Sequence, residues 1–199
     1  MKHKTSHTTT TQKPRLVLPI FIALILIFSI FGIIFSSPSP TPAPSGQSGT
    51  LDYQGHIFQQ TSQGWTATIN GFEAIFVYTP LDLRNITLET RALTDLRTAE
   101  KIYLTRNPQN TYYGAERDFF VNLKPFHNVF FACTEDNTAC TDQPIKTCDD
   151  ADSTTMVVRL DLNEHQGAAY EPSCFTITGT PEHITRVIDA HVLASLGLM

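Results

Sequence analysis

A chain of 199 residues, 41% hydrophobic and 17% charged, is long enough for one domain with its own core plus extensions. Its formal charge of −5 is unevenly spread: all 19 acidic residues follow residue 35, while four of the 14 Lys and Arg precede it. The other 10 basic residues leave the later part at about −9, which argues against nucleic acid and against anionic lipid headgroups as its partners.

Residues 1–15 carry Lys2, Lys4, Lys13 and Arg15 with no acidic residue, and they read as a short cytoplasmic basic tail. Residues 16–35 then form an uncharged run of 20 residues interrupted only by Pro19, Ser29 and Gly32. As a helix the run would extend roughly 30 Å, the thickness of a bilayer's hydrocarbon core. The basic flank places the N-terminus inside and everything after residue 35 outside the cytoplasm. A cleaved secretory signal is the competing reading; its apolar region is shorter and ends in small residues, whereas here prolines crowd the zone of cleavage. Residues 36–49 alternate four prolines with Ser, Thr, Ala and Gly, a semi-rigid extended linker.

Residues 50–199 are expected to form one extracytoplasmic globular domain. Glu73–Thr79 is β-branched and aromatic and reads as a buried strand, with partners at 57–61 or 65–69 across Gly64 or Gly71. Ile86–Thr90 reads as a further strand, 91–100 as a helix and Ile102–Thr105 as a strand closed by Asn107-Pro108. A helix over 115–124 followed by a strand over 128–133 makes a βαβ unit with parallel strands. Met156–Leu162 is a strand, 163–167 a turn and Cys174–Thr178 its hairpin partner. The last element carries the clearest helix signature: Thr180 at the N-cap, Pro181 at the first helical position and Glu182 beside the positive helix end. Its final turns are apolar nearly all round, which requires burial or a partner. The expected fold class is α/β or α+β: one small mixed sheet with about three helices, preceded by the transmembrane helix and the Pro-rich tether.

Cys133, Cys140, Cys148 and Cys174 all lie in this domain. An even count in an oxidising compartment implies two disulfides, of three possible connectivities. Cys133–Cys140 as a local clasp and Cys148–Cys174 as a bridge from loop to strand is the favoured pairing. Asn85-Ile86-Thr87 is a glycosylation sequon near the turn-like Thr79-Pro80-Leu81-Asp82.

No phosphate-binding Gly-rich loop, nucleophile elbow or His-Glu-x-x-His motif occurs, so no catalytic residue and no cofactor is assigned. Asp149, Asp150 and Asp152 form the densest acidic cluster and the one candidate for a hard cation, though the glycine of a calcium loop is missing. A solvated acidic turn beside Cys148 is the simpler account. His191 falls on an apolar helical face and reads as a core histidine, while His127, between Phe126 and a strand, is a candidate to face a pocket.

Pro144–Ala151 with Val157–Leu160, Cys174–Gly179 with Ile188–His191 and Leu196–Met199, and Ile102–Pro108 resemble stretches of small single-span membrane proteins of archaea that have no assigned function. The resemblance spans residues 73–199 and implies a bitopic envelope protein without implying a reaction or ligand. The expectation is a single-pass cell-membrane protein with a disulfide-stapled external domain, a non-enzymatic binding or accessory module for another envelope protein. The alternative is a tethered envelope hydrolase drawing an acid/base pair from His127, His165, Glu116 and the 149–152 aspartates.

Overall fold

A computed structural model of the protein describes residues 49–110, 112 and 114–199. The expected basic tail and transmembrane helix, and all of the linker but Gly49, lie outside the described residues. None of the helices among the described residues is long and apolar enough to cross a membrane.

The folded body opens with a four-stranded antiparallel meander, β1 (Thr50–Tyr53), β2 (His56–Thr61), β3 (Gly64–Ile69) and β4 (Phe72–Phe76). Two of its hairpins close over two residues that both have positive φ, Gln54-Gly55 and Asn70-Gly71. That backbone matches the right-handed twist of the flanking strands. Gly64 is obligatory for a different reason: at φ +135° a Cβ there would lie 2.3 Å from the Phe76 carbonyl oxygen. Phe58, Ala67 and Ala74 stand side by side in register on the buried face.

A second, five-stranded sheet has the order β6-β5-β7-β9-β8, built from β5 (Lys101–Arg106), β6 (Asn128–Cys133), β7 (Thr155–Leu162), β8 (Gly167–Glu171) and β9 (Cys174–Gly179). Strands β6, β5, β7 and β9 run parallel, and only β8 is antiparallel, at one edge. One sheet was expected and two form, because the meander's hairpins pair locally while the parallel strands need crossovers. The expected βαβ unit is present: β5, then helix α2 (Gly114–Leu123), then β6 in parallel register. The expected β7–β9 hairpin is corrected. β9 lies parallel to β7, and its antiparallel partner is β8, which begins at Gly167, the last residue of the segment read as a turn. The strand expected over Ile86–Thr90 is also corrected, since helix α1 (Thr90–Thr98) begins there with Glu89 as its N-cap.

Three helices pack on one face of this sheet. Helix α3 (Pro181–Ser195) starts as its sequence demands, with the Thr180 hydroxyl accepting from the His183 N–H, and ten of its residues are buried. Its apolar end is thus covered within the domain. Ile102, Leu104, Met156, Val158, Leu160, Phe175 and Ile177 line the sheet face beneath the helices, in one core with Phe58, Phe76, Phe119 and Ile188. The opposite face carries no α-helix among the described residues. It is covered in part by the loop 134–154, which is stapled by the disulfides Cys133–Cys140 and Cys148–Cys174, with Cα separations of 6.3 and 5.3 Å. This is the pairing expected from the sequence, and no described cysteine is free.

Candidate functional site

Two groups of polar side chains converge in this fold, one buried and one exposed. The buried group closes the outer edge of β4. Asn122 of α2 pairs with Ile75 as a neighbouring strand would: its Oδ1 accepts from the Ile75 N–H at 2.8 Å and its Nδ2 donates to the Ile75 carbonyl at 2.7 Å. One turn earlier on α2, Asp118 Oδ2 accepts from the Val77 N–H at 3.1 Å. From α3, Asp189 Oδ2 accepts from the N–H groups of Val77 and Tyr78, each at 3.0 Å. Asp118, Asn122 and Asp189 have no exposed surface.

Burial raises the affinity of both carboxyls for a proton, and the proximity of Asp118 adds to the effect on Asp189, which is held well above the usual carboxylate range. Arg117 donates to Asp118 Oδ1 at 2.6 Å and opposes the shift there. The pair therefore favours holding a proton between its two carboxyls, Asp189 the more strongly raised of the two. Both groups are buried and bind the backbone N–H groups that follow β4, with Arg117 the one basic partner, so their chemistry is structural: they fasten the meander to the helices.

The groups named for acid/base work do not meet. His127 Nδ1 lies 2.9 Å from the Ala99 carbonyl, just before the start of β5. Glu116 pairs with Arg106 at 2.6 Å, at the far end of the same strand, about 17–20 Å away at the rise of a strand. Burial raises the Glu116 pKa and Arg106 opposes that. His165 sits in the exposed turn after β7, where its N–H binds Asn163 Oδ1. Asp150 accepts from the Thr147 N–H at 2.8 Å and binds Lys146 at 2.9 Å. Asp152 Oδ1 accepts from the N–H groups of Thr154 and Thr155, each at 2.8 Å. These bonds hold the Asp150 and Asp152 carboxyls below the usual carboxylate range. Asp149 is exposed. Among the described residues no three His, Cys, Asp or Glu side chains gather as a metal site. Asn85 is exposed, beside a groove of about 280 Å³ that also touches Thr87, Glu89 and His183. His127 and the exposed Phe126 line a second groove, of about 300 Å³, with Leu96 and Arg97.

The exposed group lies on the helix-free face of the larger sheet. Tyr103 and Phe130 are register partners on β5 and β6, with ring centroids 5.7 Å apart and planes inclined by 35°. Lys124 reaches round the edge strand from the end of α2 and sets its ammonium 5.3 Å from the Phe130 ring. Lys146, from the stapled loop, lies 5.4 Å from the Tyr103 ring, and Lys101 lies 6.0 Å from the same ring. Ring faces attract cations at such distances. These three are all the lysines after residue 13. The sequence shows how few they are; that they share one face follows from the β5–β6 register and the loop's staples, which sequence reasoning missed.

No family model, no curated protein and no solved structure matches this chain.

Proposed function

We propose that the chain is a single-pass membrane protein, anchored by residues 16–35 with its N-terminus in the cytoplasm, whose external domain is a non-enzymatic binding or accessory module of the cell envelope. The observation that carries the binding role is the Tyr103–Phe130 platform, with Phe130 41% exposed and the domain's three lysines around it. A domain of about −9 that used lysine only for solubility would scatter it. The acid/base groups of the hydrolase alternative instead stand at opposite ends of β5 or in local caps. The membrane assignment is supported by the 20-residue uncharged run and its basic flank, and the external location by four cysteines joined in two disulfides.

Protease treatment of intact cells tests the topology: cleavage within the linker should release a disulfide-closed body of residues 50–199. A body that stays untouched, with all four thiols open to alkylation without reductant, overturns the assignment. For the binding role, the full-length chain should remain with the envelope fraction after detergent has dissolved the membrane, and should co-purify with one reproducible component. Complete extraction as a lone monomer overturns it.

A further inference from the structure

We propose that the helix-free face of the larger sheet binds an acidic polysaccharide of the uronic acid class, an inference that rests on the binding-module reading. Carboxylates of the chain meet the ammoniums of Lys101 and Lys124, and the apolar C–H face of a sugar ring lies on Phe130.

The cations are placed, and two of them are free. Lys101 stands two residues before Tyr103 on β5, so both project to the same side of the sheet. Lys101 and Lys124 are exposed and have no carboxylate within ion-pair distance among the described residues. Lys146 shares its ammonium with Asp150 and serves as a third, partly neutralised contact. The next charges along the face, Arg159 and Asp161 on β7, are paired at 3.1 Å and cancel each other. The unpaired lysines therefore lie at the aromatic end, where Glu100 precedes Lys101 and lines one groove with Lys124. In a domain of about −9, anion binding there is local and sensitive to salt.

The shape of the face selects among acidic chains. An extended acidic peptide would be expected to add a strand along the edge of β6. Part of that edge is taken: Cys133 donates its N–H to the Pro144 carbonyl and accepts at its own carbonyl from the Lys146 N–H, both at 2.9 Å, while Lys124 Nζ lies 3.5 Å from the Val129 carbonyl. What is left open is a floor of two rings inclined by 35° with cations at its rim, and Lys124 also lines a groove of about 450 Å³ with Glu100, Phe126 and His127. A pyranose offers an apolar face to an aromatic ring and a carboxylate at its rim, which matches that floor.

The test uses the full-length protein in phosphatidylcholine vesicles, titrated with polygalacturonate, with dextran and with poly-glutamate of equal charge. Polygalacturonate should bind at low salt and weaken as salt rises, dextran should not bind, and poly-glutamate should bind at least about tenfold more weakly. The double variant Lys101→Gln/Lys124→Gln should lose about five- to tenfold of the polygalacturonate affinity, with its melting temperature unchanged because both residues are exposed. Phe130→Ser should weaken polygalacturonate and leave any residual poly-glutamate binding as it was. Equal binding of poly-glutamate overturns the carbohydrate in favour of an acidic protein partner, and equal binding of dextran overturns the role of the lysines. If no probe binds while the protein still holds to detergent-stripped envelope, the ligand class is wrong and the module reading survives. If envelope retention is absent too, both fall.

Discussion

Asp118 and Asp189, 71 residues apart on different helices, both accept the same hydrogen: the Val77 N–H points between their Oδ2 atoms at 3.1 and 3.0 Å. Two buried carboxyls that share one donor cannot both be charged without strong repulsion. Arg117 opposes the shift at Asp118, so Asp189 is the more strongly raised of the two. Around that pair stand Arg117 on the same helix as Asp118, Tyr78 just beyond β4, and Arg186 and Glu182 on α3, with Arg186 lying over the Tyr78 ring. The Tyr78 hydroxyl is itself raised, first by its burial and then by Glu182.

The pH dependence of stability follows with a definite sign. The folded-state pKa of Asp189 is raised above its unfolded value of about 4, so the folded protein binds the extra proton. This group costs nothing below the unfolded value, and stability falls as pH rises from there toward the folded pKa. Asp189→Asn keeps an oxygen for the Val77 and Tyr78 N–H groups and removes the titration. Urea unfolding between pH 5 and 9 should show this variant gaining stability relative to the natural protein as pH rises, since the other titrating groups are common to both. Asp189→Ala leaves the Tyr78 N–H without its acceptor and the Val77 N–H with Asp118 alone, and should cost about 2–4 kcal/mol at pH 6.

His191 slopes the other way. Its Nε2 accepts from the Glu89 N–H at 3.0 Å and its Nδ1 faces the Val187 carbonyl at 2.8 Å, which fixes the neutral ring with its proton on Nδ1. Burial lowers its pKa, so the unfolded chain takes up the proton first. Stability is then complete above the unfolded value of about 6.5 and is lost as pH falls through it. His191→Ala removes the acceptor at the start of α1 and the ring that meets Phe175 at 4.6 Å, so it should cost about 2–4 kcal/mol at neutral pH and abolish this acid-side slope. Melts of both proteins at pH 5 and 7 check it.

Asn122 tests whether a side chain truly replaces a strand at the β4 edge. Asn122→Asp keeps the acceptor for the Ile75 N–H but sets a buried carboxylate against the Ile75 carbonyl. It should destabilise by about 2–4 kcal/mol, and more at pH 8 than at pH 5, since protonation restores the donor. Equal stability of the two forms at both values would show that the edge is closed by packing alone.

These polar anchors were not legible in the sequence, whereas much of the framework was. Thr180-Pro181-Glu182 announces α3 because capping is local chemistry, and the βαβ unit is visible because its two periodicities alternate within about 30 residues. Asn70-Gly71 and Gln54-Gly55 both carry hairpin signals, and the second closes β1 against β2, a strand the sequence expectations do not include. β8 was missed because Gly167-Ala168-Ala169 has little intrinsic preference for a strand; pairing with β9 supplies it. Asp189 gave one hint, a carboxyl between Ile188 and Ala190 on an otherwise apolar helix face. Its partner at Val77 lies 112 residues away, and only the tertiary fold brings them together.

The two disulfides should differ in what they hold. Cys148–Cys174 closes a separation of 26 residues and Cys133–Cys140 one of 7, so the chain-entropy account gives about 3.5 and about 2.4 kcal/mol. The longer bridge also seats the loop on the bare face of the sheet, with Cys148 beside Thr176 and Lys146 beside the Tyr103 ring. Replacing Cys148 and Cys174 by Ser should therefore lower the denaturation midpoint more than replacing Cys133 and Cys140, and should make the 144–154 segment cleavable by protease under native conditions. Removing the shorter bridge should leave that segment resistant, because Ile145 and Lys146 remain beside β6 through the backbone bonds of Cys133. Non-reducing peptide mapping with limited proteolysis of the two double variants separates these outcomes; equal protease sensitivity would mean that the loop is held by its backbone pairing and not by its sulfurs.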